Sequence, residues 1–360
     1  MLGLNKGVLM IVSRIYKEDL NKIFDIIPKI EELKNKKILI TGAGGLICST
    51  IVDFLINLND TKKFDIRIYI AARSEKRIRD RFGEVFRENV YYLNYDAEKP
   101  IEFNINVDYI IHGAGNANPK LYFDQPVETM TGNFVGVLNL LQYANKHNTK
   151  RVLYISSSEV YGEKDKSEPY CEDDYGFVDI LSSRSSYPSA KRASETMCVA
   201  YGKEYGVDSV IVRPGHVYGP SAVRTDNRVS TLFAQNASEG KDIVLKSSGK
   251  QIRSYCYVVD CASAILTVLC NGISGEAYNI SNKDSIISIR QLAELCCEVG
   301  GGKLIIEKPS EEELSVFNPM DNASLSSIKL ERLGWTGIFD AQTGIAHTIR
   351  ILRDSKNGRI

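Results

Sequence analysis

The chain has 360 residues, of which 45 are basic and 45 acidic, so it carries no formal net charge at neutral pH. With 43% hydrophobic residues it can bury more than one average domain's core, and without a basic tract it is not expected to bind nucleic acid or an anionic membrane. Eight cysteines, at positions 48, 171, 198, 256, 261, 270, 296 and 297, show no Cys-x-x-Cys spacing. With only four histidines beside them they suggest no metal site, and they read as reduced core residues of a cytoplasmic protein.

Residues 1–36 precede the first strand. The apolar run Val8-Leu-Met-Ile-Val12 is far shorter than the roughly 20 residues needed to cross a bilayer, and no small-residue cleavage site follows it, so neither a membrane span nor export is expected. Leu20, Ile23, Ile26, Ile27 and Ile30 recur at near-helical spacing, interrupted by Pro28. That pattern predicts an amphipathic helical arm that packs on its own domain or on a partner.

The segment Lys37-Ile-Leu-Ile-Thr-Gly-Ala-Gly-Gly-Leu-Ile-Cys48 reads as a strand, a glycine turn and the start of a helix. Gly42 and Gly45 would let the backbone approach a pyrophosphate, and the first helical turn at Leu46 and Ile47 would present unpaired N–H groups to it. Cys48 takes the place of the usual third glycine, a position that governs helix-on-strand packing. The other reading of these residues is a plain glycine turn in an α/β unit. Further short apolar strands follow in Arg67–Arg73, Val107–His112 and Arg151–Ser156, separated by helical stretches. The expected fold class is therefore α/β, a Rossmann-type doubly wound parallel sheet, in which the glycine turn, the loop Gly113–Asn118 and the serines after Ile155 converge on one crevice. Where an acidic residue would bond the adenosine ribose, the second strand ends in Ala71-Ala-Arg-Ser74. Arg73 could accept a 2′-phosphate, stack on adenine or face water, so NAD is expected with NADP still open.

Ser157, in Ile155-Ser-Ser-Ser-Glu-Val-Tyr-Gly162, is followed thirty residues later by Tyr187-Pro-Ser-Ala-Lys191. A free tyrosine is only roughly 0.1% ionised at neutral pH, so a tyrosine base needs help. Four residues along a helix place Lys191 on the face of Tyr187, where its ammonium would favour the phenolate. Lowering the phenol by about three units takes roughly 4 kcal/mol, which Lys191 and a nicotinamide cation together can supply. Pro188 fits the first turn of such a helix. With 19 tyrosines in the chain, the same spacing could also be an ordinary helix-surface pair.

Taken in order, Thr41-Gly-x-x-Gly45, Asp96-Ala97, His112-Gly-Ala-Gly115, Asn133, Ser157, Tyr187-x-x-x-Lys191, Arg213-Pro-Gly-His-Val-Tyr-Gly-Pro220 and Arg253-Ser-Tyr-Cys-Tyr-Val258 resemble the extended short-chain dehydrogenase/reductases, the NAD-dependent epimerase/dehydratase family acting on nucleotide-activated sugars. Within it the chain looks most like the UDP-glucuronate decarboxylase branch. The resemblance implies a nucleotide-binding domain over 37–213, a mainly substrate-binding and discontinuous lobe over 214–360, and a homodimer built from helices near Val127–His147 and Tyr187–Tyr205. For the cofactor it implies Asp96, Ala97, Ala114, Gly115, Asn133 and Pro214 beside the glycine turn, Tyr187 and Lys191. For a nucleotide-diphosphate sugar it implies Asn116 and His216, the latter where many relatives carry asparagine.

The implied cycle has no net redox change. Tyr187 takes the proton of the sugar 4-hydroxyl, Ser157 holds the developing oxyanion, and a 5-carboxylate next to the resulting 4-ketone leaves as carbon dioxide. Ser158 stands where many sugar 4,6-dehydratases carry aspartate, and Glu159 stands where they carry the carboxylate that removes the C5 proton. The Ser-Glu pair leaves 4,6-dehydration open, whereas a simple 4-epimerase would not need Glu159. Otherwise Glu159 is a solvated or helix-capping carboxylate. Arg253 and Arg228 suit a diphosphate because a guanidinium fork matches phosphate oxygens, although Arg228 could equally be solvated. Asp260 is expected to cap the helix through Cys261–Ile265. Residues 226–240 and 308–330 are expected to carry substrate contacts and lids. A non-catalytic dinucleotide sensor or scaffold is the alternative of another class.

Overall fold

The structure is a computed structural model that describes residues 13–83, 88–117, 119–164, 167–223, 226–309 and 320–357. The run Val8–Val12, Asn118 and residues 310–319 of the expected lid lie outside these. The strands are β1 (Lys37–Thr41), β2 (Arg67–Ala72), β3 (Val90–Asn94), β4 (Tyr109–His112), β5 (Arg151–Ile155), β6 (Ser209–Pro214), β7 (His216–Tyr218), β8 (Ile243–Leu245), β9 (Ile252–Tyr257), β10 (Ala277–Ile280), β11 (Ile286–Ser288), β12 (Leu304–Ile306) and β13 (Asn322–Ala323). The helices are α1 (Arg14–Lys22), α2 (Leu46–Lys62), α3 (Glu75–Phe82), α4 (Pro119–Asp124), α5 (Pro126–Lys146), α6 (Ser186–Tyr205), α7 (Val229–Ser238), α8 (Val258–Asn271), α9 (Ile289–Gly300), α10 (Ile328–Glu331) and α11 (Ala341–Asn357).

Seven strands form one parallel sheet in the order β10-β6-β5-β4-β1-β2-β3. Its order reverses between β1 and β4, which is where ligands bind in doubly wound sheets. The period of two along each strand sends alternate side chains to opposite layers. Ile38 and Ile40 of β1 and Leu153 and Ile155 of β5 join the core under α2 and α8. Leu39, Val152 and Tyr154 join the core under α5 and α6. Beyond β6 the chain builds a second sheet, with β9 flanked by β11 and β13 and paired in parallel with β7, and a two-stranded pair of β8 with β12. The strand expected after Gly300–Gly302 is β12, and Gly301 ends α9 in the left-handed region at φ +84°.

The arm packs on its own chain, but not as one helix. After α1 it continues as two short 3-10 turns, Phe24–Ile26 and Ile30–Leu33, because Pro28 removes a helical donor and Lys29 adopts φ +56°. Tyr16, Leu20, Ile23, Ile27, Ile30 and Leu33 are buried in the main core. The Tyr16 hydroxyl donates to Asp53 at 2.9 Å, and Asp53 also pairs with the buried Arg81 at 2.5 Å. The Tyr257 hydroxyl donates to Asp19 at 3.0 Å, and His347 Nδ1 lies 2.9 Å from the same carboxylate, so α1, β9 and α11 meet there.

Asp260 corrects another expectation. It lies inside the first turn of α8, whose end has no side-chain cap, and it accepts the Ile338 and Phe339 N–H groups at 3.1 Å and the Asn282 amide at 3.0 Å. It ties the segment before α11 to the helix rather than capping its own. Removing Asp53 would strand a mostly buried guanidinium, so Asp53→Ala should lower the unfolding free energy by about 3–5 kcal/mol in denaturant titrations; a change below about 1 kcal/mol would show that the Asp53–Arg81 pair is not structural.

Candidate active site

The crevice begins at the glycine turn. Gly42 sits at φ +68°, and a Cβ there would meet the Gly113 carbonyl oxygen at 2.6 Å, so conformation and space both demand glycine. A Cβ on Gly113 would in turn meet Cys48 Sγ at 2.4 Å, so Cys48 fills the packing position where the third glycine is missing. Gly45 starts α2 with no side-chain cap, which leaves the first-turn N–H groups, those of Leu46 and Ile47 among them, for an anion.

On the other side of the crevice, Gly115 closes on Asn133, whose Oδ1 would lie 2.4 Å from an added Cβ. Asn133 donates to Thr129 O at 2.8 Å and Asn116 O at 3.3 Å, while its buried Oδ1 has no partner among the described residues. Ala114 N–H donates to Thr41 Oγ1 at 3.3 Å, and Thr41 Oγ1 lies 2.7 Å from His112 Nδ1. Burial pulls the His112 imidazole down to about 3, so it stays neutral. A cradle too tight for side chains, an uncapped helix and an orphaned amide oxygen together fit a dinucleotide. Asp96 and Ala97 are half-buried just past β3, and Arg73 is exposed just past β2.

The reacting groups gather where β5 ends. Ser157 precedes a 3-10 turn, Ser158–Tyr161, and its Oγ accepts the Glu159 N–H at 3.2 Å. Tyr187 lies buried in the first turn of α6, and Lys191 follows one turn later. Lys191 Nζ donates to the Ile155 carbonyl at 2.9 Å and sits 5.5 Å from the centre of the Tyr187 ring. Sequence spacing and structure agree on this placement. The electrostatic expectation needs correction: with the protein groups by themselves, burial outweighs every other influence and pushes the Tyr187 phenol up to about 12. A hydrogen bond with Ser157 is the largest influence in the opposite direction. Burial likewise pulls the Lys191 ammonium down to about 7.

Two neighbours escaped the sequence. Tyr122 of α4 stacks on Tyr187 with ring centres 4.3 Å apart and planes 8° from parallel, and its side chain hydrogen-bonds to Tyr187. Arg184, three residues before Tyr187, lines with Glu159 a cavity of about 270 Å³ that Ser158, Tyr170, His216 and Met320 also border. Burial raises the Glu159 carboxyl, opposed first by Arg184 and then by Arg253. The only signal for either residue was its nearness in sequence to a crevice loop or to the base.

The remaining candidates lie on the lobe side. Pro214 is buried at the end of β6, and Asn116 is half-buried in its loop. Arg253 is buried on β9 and donates to Ile252 O at 2.8 Å. His216 falls to about 3, through burial and then the nearby Arg253 and Arg228, so it can offer a hydrogen bond but no charge. Arg228 is held by Asp226 in a pair of 2.5 Å, which leaves its fork less free for phosphate than Arg253.

Comparisons with known proteins give relatives in sequence and in fold. The chain is 31% identical over 306 residues to UDP-glucuronic acid decarboxylase 6 of Arabidopsis thaliana, covering 84% of each chain. It is 29% identical over 326 residues to UDP-glucuronic acid decarboxylase 1 of Xenopus tropicalis, covering 90% of this chain and 74% of that one. Its fold matches the UDP-glucose 4-epimerase of Thermotoga maritima with UDP-glucose at a TM-score of 0.74 and 22% identity, over 89% of this chain and 99% of that one. It also matches the dTDP-glucose 4,6-dehydratase of Bacillus anthracis in complex with NAD at 0.72 and 20%, over 90% and 98%. With the model of the NAD dependent epimerase/dehydratase family matching residues 38–281, the chain belongs to that family of enzymes.

Proposed function

We propose that this enzyme oxidises C4 of a UDP-linked uronic acid and then releases the 5-carboxylate as carbon dioxide, as a UDP-glucuronate decarboxylase does. The observation that carries the reading is the meeting of Ser157, Tyr187 and Lys191 at the end of β5 with Glu159 of the next turn in the adjoining cavity.

NAD, when bound along the glycine turn, supplies a reversible hydride acceptor for the sugar C4 carbon. Tyr187 takes the C4 hydroxyl proton, and Ser157, hydrogen-bonded to Tyr187, donates to the oxygen as charge grows on it. Lys191, fixed by Ile155 O, holds its ammonium under the phenol. Once the ketone stands at C4, C5 is activated, and loss of carbon dioxide leaves an enolate that takes a proton. Glu159, which burial biases toward its protonated form, is the group placed to give it. Ser158 lies beside it without an acidic proton to expel a 6-hydroxyl, which disfavours the 4,6-dehydratases that carry an Asp-Glu pair there.

Arg253 is the main holder of the diphosphate, with Arg228 and His216 beside it. Residues 37–213 serve mainly the cofactor and 214–360 mainly the sugar nucleotide. Both lobes share the large sheet, because β10 returns to pair with β6. Exposed Val127 and Met130 of α5 and Val199 and Tyr205 of α6 suit a homodimer face, which sedimentation of the purified protein reads directly.

Incubated with UDP-glucuronate, the NAD-loaded protein should release carbon dioxide and yield a UDP-pentose by mass. Loss of water from another nucleotide sugar, with UDP-glucuronate untouched, would move it to the dehydratases. Tyr187→Phe should cut turnover about 10²–10⁴-fold while NAD stays bound. Lys191→Met should cut turnover comparably without weakening the cofactor-free fold at neutral pH. The sign follows from proton binding: the unfolded chain holds the lysine proton up to about pH 10.5, while the fold releases it near 7. The buried ammonium therefore costs stability at neutral pH, and that cost fades as pH rises toward 10.5. A marked loss of thermal stability in Lys191→Met at pH 7 would contradict this.

A further inference from the structure

We propose that Arg184 binds the C5 carboxylate of the sugar and so selects a uronate over a neutral hexose; this rests on the function proposed above. Arg184 lines the cavity, and a second positive region lies near His216, which also lines it. That second region is formed by Arg253 and Arg228, both close enough to His216 for its imidazole to feel their charge. Arg184 lies in the 3-10 turn Ser183–Ser185 that leads directly into the helix carrying Tyr187. A single anionic group does not need both.

The diphosphate belongs with the paired arginines on the lobe side, and that leaves Arg184 facing the sugar. Among the described residues no carboxylate is hydrogen-bonded or ion-paired to Arg184, although it is half-buried beside Glu159. A half-desolvated guanidinium with no paired carboxylate among the described residues favours an anionic ligand, and its planar fork matches a carboxylate. Glu163 and Asp179 also border the cavity, but both are exposed, where water and salt screen them.

Glu159 strengthens the assignment. A uronate's carboxylate sits on C5, the carbon that Glu159 must reach, so two carboxyl groups must share one small space. Like charges so placed repel unless one is protonated or a cation lies beside them. Arg184 supplies the cation, and burial biases Glu159 toward the protonated form.

The test is calorimetric titration of the NAD-loaded protein in a Tyr187→Phe background, which stops turnover, with UDP-glucuronate and UDP-glucose as ligands. The background protein should prefer UDP-glucuronate by about tenfold or more, as a charge-assisted hydrogen bond provides. Adding Arg184→Gln should remove most of that preference while UDP-glucose affinity stays within about twofold, and Arg184→Lys should restore part of it. If Arg184→Gln keeps the full preference, the inference fails and the proposed function stands. If it weakens both ligands equally, Arg184 serves the diphosphate or the fold, and the inference also fails. If the background protein itself shows no preference for UDP-glucuronate, both are overturned.

Discussion

One buried hydrogen bond organises the catalytic end of the molecule. Lys191 Nζ donates to the Ile155 carbonyl at 2.9 Å, so the last residue of a central strand anchors a side chain from the first turns of α6. This contact fixes how Tyr187, one turn earlier on the same helix, stands relative to Ser157, two residues further along from Ile155. Strand, helix and turn are each rigid, so the three side chains keep their relation without a loop having to order itself. The same helix packs closely on α5, which carries Asn133 and closes the far side of the dinucleotide crevice.

Desolvation sets the chemistry of this end. It pushes Tyr187 up to about 12, pulls Lys191 down to about 7 and raises Glu159, each toward its uncharged form. The nicotinamide cation, expected from the sequence to add to the charge of Lys191, would act against this burial of the phenol. Neutral His112 and His216 fit the same environment, in which charge is reserved for the arginines.

Much of this was legible in the chain because it rests on short-range rules. The β-branched runs predict β1, β2, β4 and β5 to within a residue or two, since strands buried on both faces are nearly continuous apolar segments. The glycine turn and the Tyr187–Lys191 spacing are likewise local. What was not legible depends on contacts between distant residues. Tyr122 reaches Tyr187 from another helix, and Arg184 shares a cavity with Glu159 only because the 3-10 turn after β5 packs against α6. The Arg228–Asp226 pair competes with the expected phosphate role through rotamer choice, which spacing does not reveal. In the arm the apolar period correctly marked the buried residues, but a helix through Pro28 was not available to them.

The central claim is that one bound nicotinamide serves a closed cycle in which the hydrogen taken from C4 is returned to C4. It is tested most directly with UDP-glucuronate deuterated at C4 in ordinary water, with the product's label located by NMR. The account predicts that deuterium stays at C4 and that one hydrogen from solvent appears at C5 where the carboxylate departed. Loss of the C4 label to solvent, or a pentose whose C5 gained no solvent hydrogen, would contradict it.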